Sequence, residues 1–316
     1  MRATSREAWR YRMGIVADLA SALDLERLGA NRFRGDSVDS PERDVVFGGQ
    51  LIGQCAVAAA RGEPAAGKRV KTVHALFART ASKAHPIDFE VEFLHAGRTM
   101  ASATVTVTQG GRLCARAMAL LTTADDDLIR HAAPMPDVEP PEALEPVTDP
   151  YVGRELRVAG GADLNGSSTP GGAGPSAAAS ADSTELSVWT RMPGAAPASS
   201  AEPAIAQAML AHASAGFLIG AAMRPHPELT IADAHDKFST GILGHSVTFH
   251  EEADVSDWIL LAHESPYAGR GRSYGRGHAF ARDGRLVASF AQDAIIRSFA
   301  TRPGAEGGRR GKASVL

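Results

Sequence analysis

Between Val70 and Leu121, apolar and polar residues alternate in four short runs. VKTVHALFA, IDFEVEFLHA, MASATVTVT and LCARAMALL each have strand length and β-branched enrichment. Gln109-Gly110-Gly111-Arg112, between the last two, has hairpin-turn composition. Upstream, VVFGGQLIGQCAVAAARG (Val45 to Gly62) predicts a turn at Gly48-Gly49 and then a buried helix. Its small residues, among them Gly53, Ala56 and Ala59, let a sheet approach closely. A helix followed by an antiparallel sheet is an α+β unit.

The same layout returns later. Pro203 to Met223, rich in alanine and glycine, predicts a second long helix, and Phe238 to Phe299 predicts further strands. LRVAGGADL and ELSVWTRM add two more strand-like runs before that helix. At the front, Ile15 to Leu28 carries apolar residues at helical spacing with Gly29 as a stop, and FRGDSVD follows as a strand-like run. Thr122 to Asp149 reads as a Pro-rich, acidic linker. SSTPGGAGPSAAASADS is a low-complexity loop, and the tail after Thr301 is basic and Gly-rich. These shifts divide the chain into domains at 13–124 and 151–300, with a linker at 125–150 and a disordered tail at 301–316.

The two strand-rich parts echo each other. Gly111-Arg112-Leu113 aligns with Gly284-Arg285-Leu286, and reading back, Val105-Thr106-Val107 falls on His278-Ala279-Phe280. His74 to Phe77 falls on His245 to Thr248. Two copies of one helix-plus-sheet unit are implied. Such sheets can pair edge to edge and remove exposed strand edges. The copies differ where Gln292 stands opposite Ala119. Alternation puts Gln292 on a face with Leu286, Ala288, Phe290, Ala294 and Ile296. An amide there is either a buried group tied to backbone or a group that orients a reactant or water.

Composition narrows the function. The 316 residues carry a net charge of −3, which argues against nucleic acid as a partner. The cysteines, Cys55 and Cys114, lie in apolar runs with neither disulfide-framework nor CxxC spacing, as expected of a reduced, cytoplasmic chain. No apolar run is read as a membrane span. Arg2, Arg6, Arg10 and Arg12 precede no apolar signal core and are read as an extension ahead of a second start at Met13, the alternative being a transit peptide, which the acidic Glu7 and Asp18 disfavour. No metal or cofactor is expected: His245 and His250 fall on opposite strand faces, and His245 alternates with Leu243, Val247 and Phe249 as a core residue would.

VFGGQLIGQ (46 to 54), VHALFAR (73 to 79), GHSVTFH (244 to 250) and LVASFAQDAIIR (286 to 297) resemble the type II acyl-CoA thioesterases. The resemblance implies an α+β architecture of two fused hotdog domains, each a long helix wrapped by an antiparallel sheet. It implies hydrolysis of acyl-CoA to free acid and CoA, by water held between an Asp, a Thr or Ser, and a Gln of the second domain. The Gln falls on Gln292. The Asp falls on Ala215 and the Thr on Ile242, so the set is altered. Thr240, two residues before Ile242, can share its face. His212, one turn before Ala215, and Ser214 beside it are further candidates, His212 as general base. The expected catalytic set is therefore Gln292, Thr240, His212 and Ser214. Gly48, Gly49 and Gln50 at a helix start, with Arg270, Arg272 and Arg276 for CoA phosphates, are the expected substrate-binding set. The alternative is an acyl-thioester-binding protein without catalysis, having lost the family's Asp and Thr. A homo-oligomer is expected.

Overall fold

The computed structural model describes residues 19–38, 44–148, 154–161, 183–195, 202–226, 228–229, 234 and 237–299. Thirteen strands form one sheet in the order β1-β2-β4-β5-β6-β3-β10-β13-β12-β11-β9-β8-β7. The first half supplies β1 (Glu26–Gly29), β2 (Arg32–Gly35), β3 (Arg69–Phe77), β4 (Ile87–Ala96), β5 (Met100–Gln109) and β6 (Arg112–Thr122). The second supplies β7 (Pro146–Thr148), β8 (Glu155–Val158), β9 (Glu185–Arg191), β10 (Phe238–Phe249), β11 (Ile259–Gly269), β12 (Arg272–Ala281) and β13 (Leu286–Ser298). The helices are α1 (Gly48–Arg61), α2 (Pro203–Ser214) and α3 (Leu218–Met223). The architecture is α+β, a double hotdog.

The halves join edge to edge. β3 pairs antiparallel with β10, Ser246 opposite His74 and Val247 opposite Val73. Lys71 Nζ donates to Phe249 O across this seam at 2.7 Å. The first half of the sheet packs on α1 and the second mainly on α3, and one core cluster runs from Leu23 in the first half to Phe290 in the second. The helices meet through small residues: a Cβ at Gly53 would come within 2.8 Å of Ala208 O, and one at Gly49 within 2.9 Å of His212 O. Arg61, at the end of α1, ties this contact down through Glu202 Oε1 at 2.9 Å and Leu25 O at 2.9 Å.

Several elements differ from their sequence reading. The N-terminal helix ends at Leu23, and Glu26–Gly29, read as its last turn, is strand β1 paired with β2. Tertiary pairing there overrides helical periodicity. The second helix is broken over Ala215–Phe217 into α2 and α3. By length and composition Pro203–Met223 could cross a bilayer, against the reading that no run could, but it is mostly buried in the fold. Its many alanines raise the hydropathy, and the same small side chains let α1 pack closely. The linker stretch is docked: Met135, Val138 and Leu144 cover Trp189, Trp258, Leu260 and Phe280, and Trp189 Nε1 donates to Glu139 O at 2.9 Å. The low-complexity loop up to Asp182 and the tail lie outside the described residues.

The repeat holds, with a corrected register. Ala119 pairs with Val73 on β3 and Ala103 on β5, while Gln292 pairs with His245 on β10 and Gly275 on β12. Gln292 and Ala119 are therefore equivalent. Val73, not His74, is equivalent to His245. Val105, which leads to Ala117 beside Ala119, is equivalent to Gly277, not His278. Val107 lies opposite Ala115 and its equivalent Ala279 opposite Ala288, so the second connection is one residue longer. A one-residue slip reverses every side chain, so the gap-free alignment put His278 on the wrong face.

Candidate functional site

Three polar side chains are buried on the helix-facing side of the second sheet where the first half is apolar. His245 takes the place of Val73, Gln292 that of Ala119, and His263 that of Val91, which pairs with Val105 as His263 pairs with Gly277. All three are at most 3% exposed. At these three residues the strands pair antiparallel, with register shifts only farther along, at Ile242–Gly244, Glu264–Tyr267 and Ala279–Phe280.

His245 is reached from the end of α2. Ser214 Oγ lies 3.0 Å from Ala211 O and 2.9 Å from His245 Nε2. A carbonyl only accepts, so the Ser214 hydroxyl donates to Ala211 and His245 Nε2–H donates to Ser214. That leaves Nδ1 as a bare acceptor with no partner among the described residues. Burial pushes the ring's pKa down to about 3. The neighbouring Gln292 amide offsets part of that shift, and His74 and His263 add to it. Gln292 approaches the ring, yet among the described residues neither its Oε1 nor its Nε2 reaches a partner at good hydrogen-bonding geometry. A buried primary amide left this way costs about 1–3 kcal/mol unless something else meets it.

His263 is fixed from the other side. Its Nδ1 donates to Leu186 O at 2.9 Å, so the neutral ring presents a lone pair at Nε2, which has no partner among the described residues. The ring sits edge-on to Phe217, with centroids 5.5 Å apart, and 5.3 Å from Phe290. Phe290 in turn lies 6.3 Å from His245. Burial, with Arg154 contributing after it, pushes the His263 pKa down to about 4.

Thr240 is placed away from Gln292. Thr240 pairs with Ile296, four residues along β13 from Gln292, about 13 Å at strand rise. The register shift in β10 falls at Leu243, between Ile242 and Gly244, and it leaves Ile242 opposite Ala294, nearer Gln292. The Ile242 side chain reaches α1, where a Cβ on Gly48 would lie 3.3 Å from its Cδ1. His212 is buried with its ring edge-on to Phe47 at 5.1 Å. The imidazole that meets Gln292 is thus His245, which alternation alone assigned to the core. Gly48 and Gly49 serve close packing, and Gln50 is tied to the chain before it: its Nε2 donates to Asp36 O at 2.9 Å and its Oε1 accepts from Val38 N at 3.2 Å.

Arg270 and Gly271 form the two-residue β11–β12 turn with φ of 55° and 74°. Arg270 and Arg272 are exposed there. Arg276 points to the outer face and pairs with Glu264 at 3.1 Å. That face carries a cleft of about 1030 Å³, lined by Tyr274, Arg276, His278 and Ser289 and by Pro136–Glu139 of the linker stretch, and bordered by His263 and Phe290. Ser289 Oγ lies there 2.9 Å from both His250 Nε2 and His278 Nδ1. Among the described residues no group of three or more His, Cys, Asp or Glu is placed to hold a metal ion.

Two family models divide the chain as the fold does. A model described as acyl-CoA thioesterase N-terminal domain matches residues 38–122, and one described as acyl-CoA thioesterase matches 180–295. This chain belongs to the type II acyl-CoA thioesterase family. The thioesterase is 28% identical over 302 residues to acyl-CoA thioesterase 2 of Haemophilus influenzae, covering 90% of this chain and 98% of that one. It is 26% identical over 291 residues to human acyl-coenzyme A thioesterase 8, covering 88% of each. Among solved structures, a tesB protein of Mycobacterium avium subsp. paratuberculosis superposes with a TM-score of 0.72 at 26% identity, over 89% of this chain and 99% of that one. A hot dog fold protein of Alicyclobacillus acidocaldarius, 18% identical with a TM-score of 0.67 over 89% and 98%, bears out the fold.

Proposed function

We propose that this thioesterase hydrolyses acyl-CoA at Gln292, with His245 and Ser214 completing the site. The observation that carries the reading is the placement of His245 and Gln292, with unpartnered polar atoms, where the first half has Val73 and Ala119. The relatives named above as acyl-CoA thioesterases supply the substrate class. In this reading Gln292 Oε1 accepts one proton of a water molecule and so orients it. His245 Nδ1 takes the other as the oxygen attacks the thioester carbonyl. The C–S bond breaks, and the proton passes from His245 to the departing thiolate. Ser214 holds the ring with Nδ1 bare. Arg270 and Arg272, exposed at one turn, are the residues proposed for the CoA phosphates. Domain bounds at 13–124 and 151–300 belong to the same reading, supported by the β3–β10 seam. So does assembly with a second copy, supported by the exposed Leu76 and Met118 on the outer face of the first half.

The test is thiol release from acyl-CoAs of several chain lengths, with Gln292→Ala alongside. The variant is expected to lose about 100-fold or more in kcat. Equal rates for parent and variant would remove Gln292 from the reaction. One observation favours a second reading, binding without turnover: the positions expected to hold Asp and Thr are the buried apolar Ala215 and Ile242. Tight acyl-CoA binding with no thiol release would establish it.

A further inference from the structure

His263 is not used by the reaction above, and its environment is specific. The ring is 3% exposed, its tautomer is set by Leu186 O, and its buried Nε2 lone pair meets no donor among the described residues. Phe217 and Phe290 pack on it at centroid distances of 5.5 Å and 5.3 Å. The first half has Val91 at this register position, so the fold itself calls for an apolar residue here. Phe290 is two residues from Gln292 on the same strand face, which connects the His263 cluster to the reacting end of the site.

The distance between them is informative. Gln292 and His263 are separated by two strand spacings and one further row, about 12 Å between their backbones. A group meeting His263 Nε2 therefore lies well along an acyl chain whose thioester is at Gln292. With burial and Arg154 holding the ring neutral, Nε2 accepts and does not donate. An unsubstituted hydrocarbon chain has nothing to give it and leaves a buried acceptor unmet. A chain bearing a hydroxyl satisfies it, and a pocket built to pair with a hydroxyl discriminates against the analogue that lacks one.

Building on the thioesterase reading above, we propose that His263 is a specificity-determining residue that selects acyl chains carrying a hydroxyl group distal to the thioester. Such a substrate is what an oxygen-inserting reaction on a fatty acyl chain delivers.

The experiment compares kcat/KM for decanoyl-CoA, 3-hydroxydecanoyl-CoA and ω-hydroxydecanoyl-CoA. The parent is expected to prefer the ω-hydroxy substrate over decanoyl-CoA by about 10-fold or more, with little preference for the 3-hydroxy one. His263→Val installs the residue of the first half, and its ratio is expected to fall to about one. His263→Gln keeps an acceptor and is expected to retain part of the preference, which separates acceptor loss from a packing defect. A parent without preference, or a preference that survives in His263→Val, overturns the proposal. So does a proportional loss on all three substrates. If the parent hydrolyses none of them, it is the hydrolytic reading that fails. The same ratios are then read as affinities for the non-hydrolysable thioether analogues, with the same outcomes deciding.

Discussion

Lowering the pH from 7 to 4.5 should destabilise this fold through two residues, His245 and His263. Both are buried and neutral, with pKa values pushed down to about 3 and about 4. In the unfolded chain each titrates near the ordinary value of 6.5. Between the two values the unfolded chain binds a proton that the native chain does not, so stability falls as pH falls. Each histidine contributes a slope of about 1.4 kcal/mol per pH unit below roughly pH 6.5. His263 loses its stabilising contribution down to about pH 4, a total of about 3 kcal/mol, and His245 about 5 kcal/mol down to about pH 3. The groups facing them have the signs this requires: His74 lies near His245 and Arg154 near His263, and both oppose protonation. His250 and His278 are also shifted down by burial but are exposed enough to add much less. The assay is urea unfolding at half-unit pH steps for the parent, His263→Val and His245→Gln. Between pH 6 and 5 each variant is expected to show a slope shallower than the parent's by about 1 kcal/mol per unit. Identical slopes in all three proteins would refute the assignment of buried, neutral imidazoles.

Other expectations follow from packing and exposure. Gly53→Val drives two methyl groups toward the Ala208 carbonyl and should cost about 1–3 kcal/mol or more in urea unfolding, whereas Gly67→Val, which meets no atom within 4 Å, should lose only what its positive φ costs. Arg270→Gly relieves a side chain held at φ 55° and should raise stability by about 1 kcal/mol. Cys55 is wholly buried with its thiol pushed up to about 12, so it should resist alkylation at pH 8 in the native protein and react fully in urea, as read by mass spectrometry. Replacing Arg270 and Arg272 together by Ala should raise KM for acyl-CoA but not for the matching acyl-pantetheine, which lacks the nucleotide phosphates.

Alternation was enough to locate β3 to β6 and β9 within a residue or so, because one face of each strand is buried and the other is not. The hairpin at Gly110-Gly111 was legible from composition because both residues need positive φ. The equivalence of Gln292 and Ala119 was legible too, since the Gly-Arg-Leu that starts each final strand anchors the alignment beyond any turn. Those local signals also carried the α+β class and the repeat.

The site needed the third dimension. Which of His74, His245, His263 and His278 face the helices depends on register, and register depends on a turn one residue longer in the second half and a shift at Leu243. Neither changes the hydrophobic pattern enough to be seen, yet each reverses a strand's faces. The break at Ala215–Phe217 was hidden because alanine-rich sequence favours a continuous helix. Ser214, His245, His263 and Gln292 come from three strands and a helix end far apart in the chain. Local sequence fixes which residues can be polar inside this fold; only the pairing of β10, β13, β12 and β11 decides which of them meet.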